Sequence, residues 1–224
     1  MRAALISAPL ILAGTTFFPA LFPLDASTLA QRAGSGDCVA IGKPKTSTTY
    51  VYQHTEPGGR STRVDNRWES VTETGSRLRA NGPAGLFVQV NEHHIEDDVA
   101  MLDKSTKLGP DGQALDSTTF MPGLVSDPAF RACAGRSWQI RPVTATFQQS
   151  GQTKASAQTP AGTLRIISIH ETISVPAGTF DTVHYVRTSQ STDDYWKSIE
   201  HGVIVKHTGT LPVGTVSETL VEIR

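Results

Sequence analysis

Residues Glu171-Thr172-Ile173-Ser174-Val175-Pro176-Ala177-Gly178-Thr179-Phe180-Asp181-Thr182-Val183 place two runs of β-branched and alternating side chains around a reversal. Pro176 fixes φ at about −65° and Gly178 tolerates positive φ, so together they predict a tight turn between antiparallel strands. Phe180 re-enters the sheet behind the turn as a packing side chain. The motif explains folding and carries no chemistry.

Similar runs surround it. Strands are predicted at 138–148, 164–175, 182–189, 194–198, 203–207 and 215–223, with turns at Ser150-Gly151, Pro160-Ala161-Gly162, Gly202 and Gly209. In the first half, 47–54 carries Tyr50 and Tyr52 on one face and Val51 on the other. Glu56-Pro57-Gly58-Gly59 turns it into 63–74, which holds Val64, Trp68 and Val71. The turn Asn81-Gly82-Pro83-Ala84-Gly85 then leads into 86–95, completing an antiparallel meander. The segment 103–135 reads differently, as an irregular connection marked by Gly109-Pro110-Asp111-Gly112 and Met121-Pro122-Gly123. Within it, Ser126-Asp127-Pro128-Ala129-Phe130 has an N-cap residue followed by proline at the first helical position, which predicts one short helix. Leu108, Leu115, Phe120, Met121, Leu124 and Phe130 recur along this segment and would hold it across an end or open edge of the sheet. No sustained helical stripe occurs downstream of the N-terminal region. The fold class is therefore all-β, a single antiparallel domain over 46–224 with at most one short helix.

Composition sets the compartment and excludes some partners. The 224 residues carry 20 Lys+Arg against 21 Asp+Glu, a net charge of −1, which argues against a nucleic-acid binder. Charged residues make up 18% of the chain, below the roughly 25% of an average soluble domain. Hydroxyls take their place, with 27 Thr and 19 Ser, and threonine suits a pleated surface. After Arg2, residues 3–24 carry no charge and lead to Thr28-Leu29-Ala30, the layout of a signal peptide over 1–30, with Ala26 a second cleavage point. The competing reading is a retained membrane anchor, which Pro9, Pro19 and Pro23 disfavour by interrupting the run. A Gly/Ser/Lys linker over 31–45 follows. The expected location is the periplasm or the extracellular space, with no stable membrane span after cleavage.

Cys38 and Cys133 are the only cysteines, an even count in an exported chain, and are read as a disulfide. Such a bond closes a loop of about 95 residues and contributes up to about 4–5 kcal/mol in the chain-entropy model. Two separate thiols are the other reading. A metal site on them lacks any CxxC or Cys/His cluster. Ser35-Gly36-Asp37-Cys38 puts an acid where a lipid-attachment site needs a small residue.

The hairpin resembles the E-x-V-x-V-P-A-G-x-F-x-x-V element of a set of exported bacterial proteins of unknown function. Gly135-Arg136-Ser137-Trp138 ahead of it, and Trp196 with Gly202-Val203-Ile204-Val205-Lys206 behind it, are similar to that set's flanking elements in order and spacing. The resemblance covers roughly the second half of the chain. Through it, the architecture is similar to the LolA/LolB type of lipoprotein carrier. That resemblance implies a strongly curved antiparallel sheet, an incomplete β-barrel, and implies no catalytic residue. The carriers' helices across the barrel mouth have no counterpart here beyond the one short helix.

Few residues invite a chemical reading. Asn91-Glu92-His93-His94-Ile95-Glu96-Asp97-Asp98 has metal-ligand residue types. On a strand, His93 and His94 point to opposite faces, so a partial metal site would use Glu92, His94 and Glu96. The bland reading is a polar strand end running into an acidic turn. His170, His184, His201 and His207 lie near Glu171, Asp181, Asp193, Asp194 and Glu200, but register decides which converge. Trp138 and Trp196 are read as core anchors ahead of ligand platforms. Nucleophile-elbow, zinc-protease, phosphate-loop and EF-hand signatures are absent, and no cofactor is expected.

The functional expectation is a non-enzymatic exported domain that binds an apolar ligand, such as a lipid or acyl chain, in the concave face of its sheet. The alternatives are a structural or protein-interaction module of the cell envelope, and a hydrolase that is metal-dependent or uses a dispersed triad.

Overall fold

The computed structural model describes residues 37–82 and 87–224, and every regular element among them is a strand. The leader read at 1–30, residues 31–36 of the linker, and residues 83–86, which cover the end of the first-half turn and the first residue of the strand read at 86–95, lie outside the described residues. The described residues belong to one compact unit. Among the described residues, no helix is long and apolar enough to cross a membrane.

The chain opens with β1 (Cys38–Ala40), then runs through β2 (Tyr50–Thr55), β3 (Ser61–Val71), β4 (Gly75–Asn81), β5 (Val88–Glu96), β6 (Val99–Leu108) and β7 (Ala114–Pro128). β8 (Arg131–Cys133) pairs with β1, and the disulfide joins Cys38 to Cys133, which stand opposite each other in that ladder. After β9 (Ser137–Ile140) follow β10 (Thr144–Gln149), β11 (Gln152–Gln158), β12 (Gly162–Val175), β13 (Gly178–Thr188), β14 (Thr192–Ser198), β15 (Ile204–Leu211) and β16 (Gly214–Ile223). Apart from β1 and β8, these strands make one 14-stranded sheet in the order β11-β10-β7-β6-β5-β4-β3-β2-β16-β15-β14-β13-β12-β9. All its pairings are antiparallel.

The sheet is curved, and it is not closed into a barrel. Two observations fix the curvature. Only residues 141–143 separate β9, at one edge, from β10, next to the other edge. That stretch reaches at most about 14 Å, so the two margins lie close together. In addition, Lys197 of β14 hydrogen-bonds the Asp127 carboxylate and, at 2.6 Å, the Pro128 carbonyl of β7, although many strands separate β14 from β7 in the ladder.

Several sequence expectations need correction. The irregular segment over 103–135 is two long strands and a short one. Gly109-Pro110-Asp111-Gly112 is the turn of the β6–β7 hairpin, where the Gly109 and Gly112 amides donate to the Gln113 and Gly109 carbonyls. No helix forms at Ser126-Asp127-Pro128-Ala129-Phe130. Asp127 spends its carboxylate on Lys197 rather than on a helix end, Pro128 closes a strand where its missing N–H costs no ladder bond, and Ala129 donates to Asp98. The single strand read over 138–148 is β9 and β10 at opposite ends of the sheet, because Arg141-Pro142-Val143 carries the chain from one margin to the other. β4 and β11 lie where the sequence predicts no strand, and part of the linker over 31–45 is ordered as β1.

Two apolar clusters hold the sheet. One joins Val99 and Val125 of β6 and β7 to Leu164, Ile166, Val183 and Tyr185 of β12 and β13, with Trp138 and Ile140 from β9. The other gathers Tyr50, Tyr52, Phe180, Val203, Val205 and Leu220. The 171–183 hairpin forms as its sequence predicts: Val175 stands opposite Gly178, whose φ is 140°. Ladder irregularities between Ile166 and Glu171 bend β12, Phe180 is buried in the second cluster, and the Ala177 amide donates to the Leu220 carbonyl.

Candidate functional site

Alternation along four strands sends unlike residues to one place. On β3 the face that carries Val64 also carries Asn66 and Trp68; on β5 it is His93 and Ile95; on β13, Tyr185 and Arg187; on β14, Tyr195 and Lys197. They meet in a cavity of about 200 Å³ inside the curve of the sheet, also lined by Tyr52, Phe130, Asp127 and Glu218.

Charged side chains of both signs stand around this cavity. Lys197, only 8% exposed, is held by Asp127. Arg187 stands directly across from Asp193. Partial burial works to raise the Asp193 carboxyl, but hydrogen bonds from His207 (3.2 Å) and Ser191 (2.6 Å) outweigh it and hold the group below the usual carboxylate range. Glu218 lies 3.8 Å from His54 Nδ1 and raises the pKa of that imidazole. Burial raises the phenols of Tyr52 and Tyr185 well above their ordinary value and pushes Tyr195 up to about 12. His93 moves the opposite way: burial lowers its pKa and favours the neutral ring, with the nearby Lys197 acting in the same sense and Asp127 against it.

Three buried side-chain atoms among the described residues have no protein hydrogen-bond partner: Asn66 Oδ1, His93 Nδ1 and Arg187 Nε. All three residues line this one cavity. Buried polar groups are nearly always satisfied, so three unpaired atoms in residues around one cavity set this region apart from the rest of the described fold.

Of the residues singled out for chemistry in the sequence, His93 lines the cavity and the others lie elsewhere. Glu92, His94 and Glu96 sit on the other face of β5 and do not form a common site: Glu92 binds Arg77, His94 Nδ1 is 2.6 Å from Asp103, and Glu96 is 3.8 Å from His94 Nε2. No group of three metal-ligating side chains occurs among the described residues. His170 pairs with Asp181 at 2.8 Å on the surface, and His201 packs edge-on against Phe180. His184 lies between two carboxylates, Glu171 at 3.1 Å from Nδ1 and Asp194 at 2.8 Å from Nε2, so neither nitrogen faces a hydroxyl nucleophile. Trp196 stacks on His184 at 4.5 Å, donates its indole N–H to Glu171, and is covered by the Lys206 ammonium. Trp138 is buried and donates to the Asp97 carbonyl, and Arg136 lies over its ring.

Sequence reading singled out neither Asn66, Arg187, Lys197 nor Tyr195. A signal was present in the alternation: each polar residue shares the face of a large apolar or aromatic neighbour two positions away, Asn66 beside Trp68, Arg187 beside Tyr185 and Lys197 beside Tyr195. Comparison with protein-family models, with curated proteins and with solved structures found no significant match in any of the three.

Proposed function

We propose that this chain is an exported, non-enzymatic β domain that binds a small molecule in the cavity inside its curved sheet. The observation that carries the reading is the cavity itself: side chains of β2, β3, β5, β13 and β14, strands distant in the chain, line one space of about 200 Å³ inside the curve of the sheet. Export is supported by the uncharged stretch behind Arg2 and by a disulfide, which belongs to an oxidising compartment. The resemblance of the 171–183 hairpin to exported bacterial proteins and, more remotely, to lipoprotein carriers points the same way. Size narrows the ligand. A cavity of about 200 Å³ lies below the roughly 300 Å³ at which ordinary small-molecule pockets begin, which favours a compact molecule over an extended acyl chain.

Native mass spectrometry of the gently purified mature protein tests this reading. The expected spectrum contains an adduct of small mass that disappears on denaturation. Only the unliganded mass, together with unmoved amide resonances at Asn66, His93 and Arg187 across a metabolite panel, would exclude the reading.

A further inference from the structure

Resting on that reading, we infer that the segment 41–49, between β1 and β2, is a strap over one end of the cavity, and that the Cys38–Cys133 disulfide governs its opening. Gly42 and Pro44 line the cavity, whereas Lys43 and Lys45 between and beyond them are exposed. A single thickness of chain therefore separates the cavity from solvent here. The strap belongs to no strand and so lacks ladder pairing, unlike the wall formed by the sheet.

What holds the strap is light. Ile41 is its one buried residue. The Ile41 amide donates to the Phe130 carbonyl at 2.8 Å and the Gly42 amide to the Ile199 carbonyl at 2.7 Å. Further along, the Lys45 amide donates to the Tyr50 phenol at 3.3 Å, and Arg67 Nε donates to the Thr46 carbonyl at 3.0 Å. Lys43 pairs with Glu73 at the surface. A segment with few buried apolar contacts belongs to the low-stability end of a fold and opens without global unfolding. Its two ends differ. At Tyr50 it enters the large sheet, but at its start it joins β1, whose partner is the three-residue β8. The disulfide makes that weak end covalent, and Phe130, which precedes β8, lines the same end of the cavity.

A dithiol reductant would release this end. Its thiolate attacks the exposed Cys38 sulfur and expels the Cys133 thiolate; its second thiol then resolves the mixed disulfide and frees Cys38. Two electrons pass to the protein, both cysteines take up a proton, and the dithiol becomes a disulfide. With the bond broken, β1 can leave together with the strap and uncover the cavity.

Amide exchange of the intact protein, followed by NMR across low urea concentrations before and after treatment with dithiothreitol, tests this without any ligand. In the oxidised protein the Ile41 and Gly42 amides should exchange through a local opening, with a rate nearly independent of urea, while ladder amides of β13 and β14 follow the steep slope of global unfolding. Reduction should raise that urea-independent rate at Ile41 and Gly42 at least about tenfold. Should the reduced chain not stay folded in buffer, both forms are compared in ammonium sulfate, which favours the compact state. Exchange at Gly42 with the full global slope overturns the strap, and a local rate unchanged by reduction overturns the role of the disulfide. Native mass spectrometry decides the ligand-binding reading separately, because no ligand enters the exchange measurement.

Discussion

At His93 a single imidazole links the cavity to the stability of the fold. Burial holds its folded-state pKa below 6.5, so between that value and 6.5 the unfolded chain binds more protons than the folded one. Stability is therefore lost as the pH falls through this window. His54 has the opposite sign: Glu218 raises its pKa, so its contribution is complete below 6.5 and fades as the pH rises through the folded value. We expect His93→Gln to flatten the acid side of a plot of urea midpoint against pH between about 7.5 and 5. An unchanged slope would contradict the burial argument. Lys197 is the other decisive residue. Lys197→Met leaves Asp127 and the Pro128 carbonyl without their donor and should cost about 3 kcal/mol, the low end for a broken buried pair because Asp127 is 25% exposed. Adding Asp127→Leu should recover most of that loss in chemical denaturation. At this scale the sequence was half legible. Alternation alone separates His93 from His94, and the structure places them on opposite faces of β5. It could not show that Asn66, His93 and Arg187 meet, because their strands are distant in the chain and only the curvature of the sheet brings them together.

Among the elements, the hairpin was the most legible because its turn chemistry is local. Gly178 occupies a φ of 140°, where a side chain is strained, so Gly178→Ala should lower unfolding stability by about 1–3 kcal/mol. A methyl there meets only the Phe180 ring at 3.7 Å, so the effect isolates backbone strain. Gly202 differs in kind. It combines a φ of 64° with a close approach in which an added Cβ would lie 2.0 Å from the Gly42 carbonyl oxygen. Gly42 in turn donates to the Ile199 carbonyl, so the segment after β1 is seated directly on this turn. Gly202→Ala should be the more damaging of the two, with a lower thermal midpoint and greater exchange of the Gly42 amide. The helix expected at 126–130 failed for a non-local reason: a capping pattern is a short-range preference, and here the distant Lys197 claims the capping carboxylate. The strand expected at 138–148 failed because a proline reads alike whether it interrupts a strand or sends the chain to another sheet margin.

For the molecule as a whole, the disulfide and the free margins define the limits of the fold. Cys38 and Cys133 close a loop with a sequence separation of 95, so reduction should lower stability by about 4–5 kcal/mol in the chain-entropy limit. Urea unfolding with and without reductant measures the difference. One margin ends on β11, which is exposed along its whole length and carries Gln152, Lys154 and Gln158 in place of large apolar side chains. Polar composition with a lysine limits pairing with another chain at such an edge.

The open margins have a consequence for how the interior can vary. In a closed barrel, strand number and shear fix the bore, so a wider or narrower interior requires a different barrel. Here no ladder joins the margins, and side chains span the curve instead: Val99 and Val125 pack on Leu164 and Val183, and Lys197 of β14 reaches Asp127 of β7, so side-chain size and not strand register sets the gauge of the chamber.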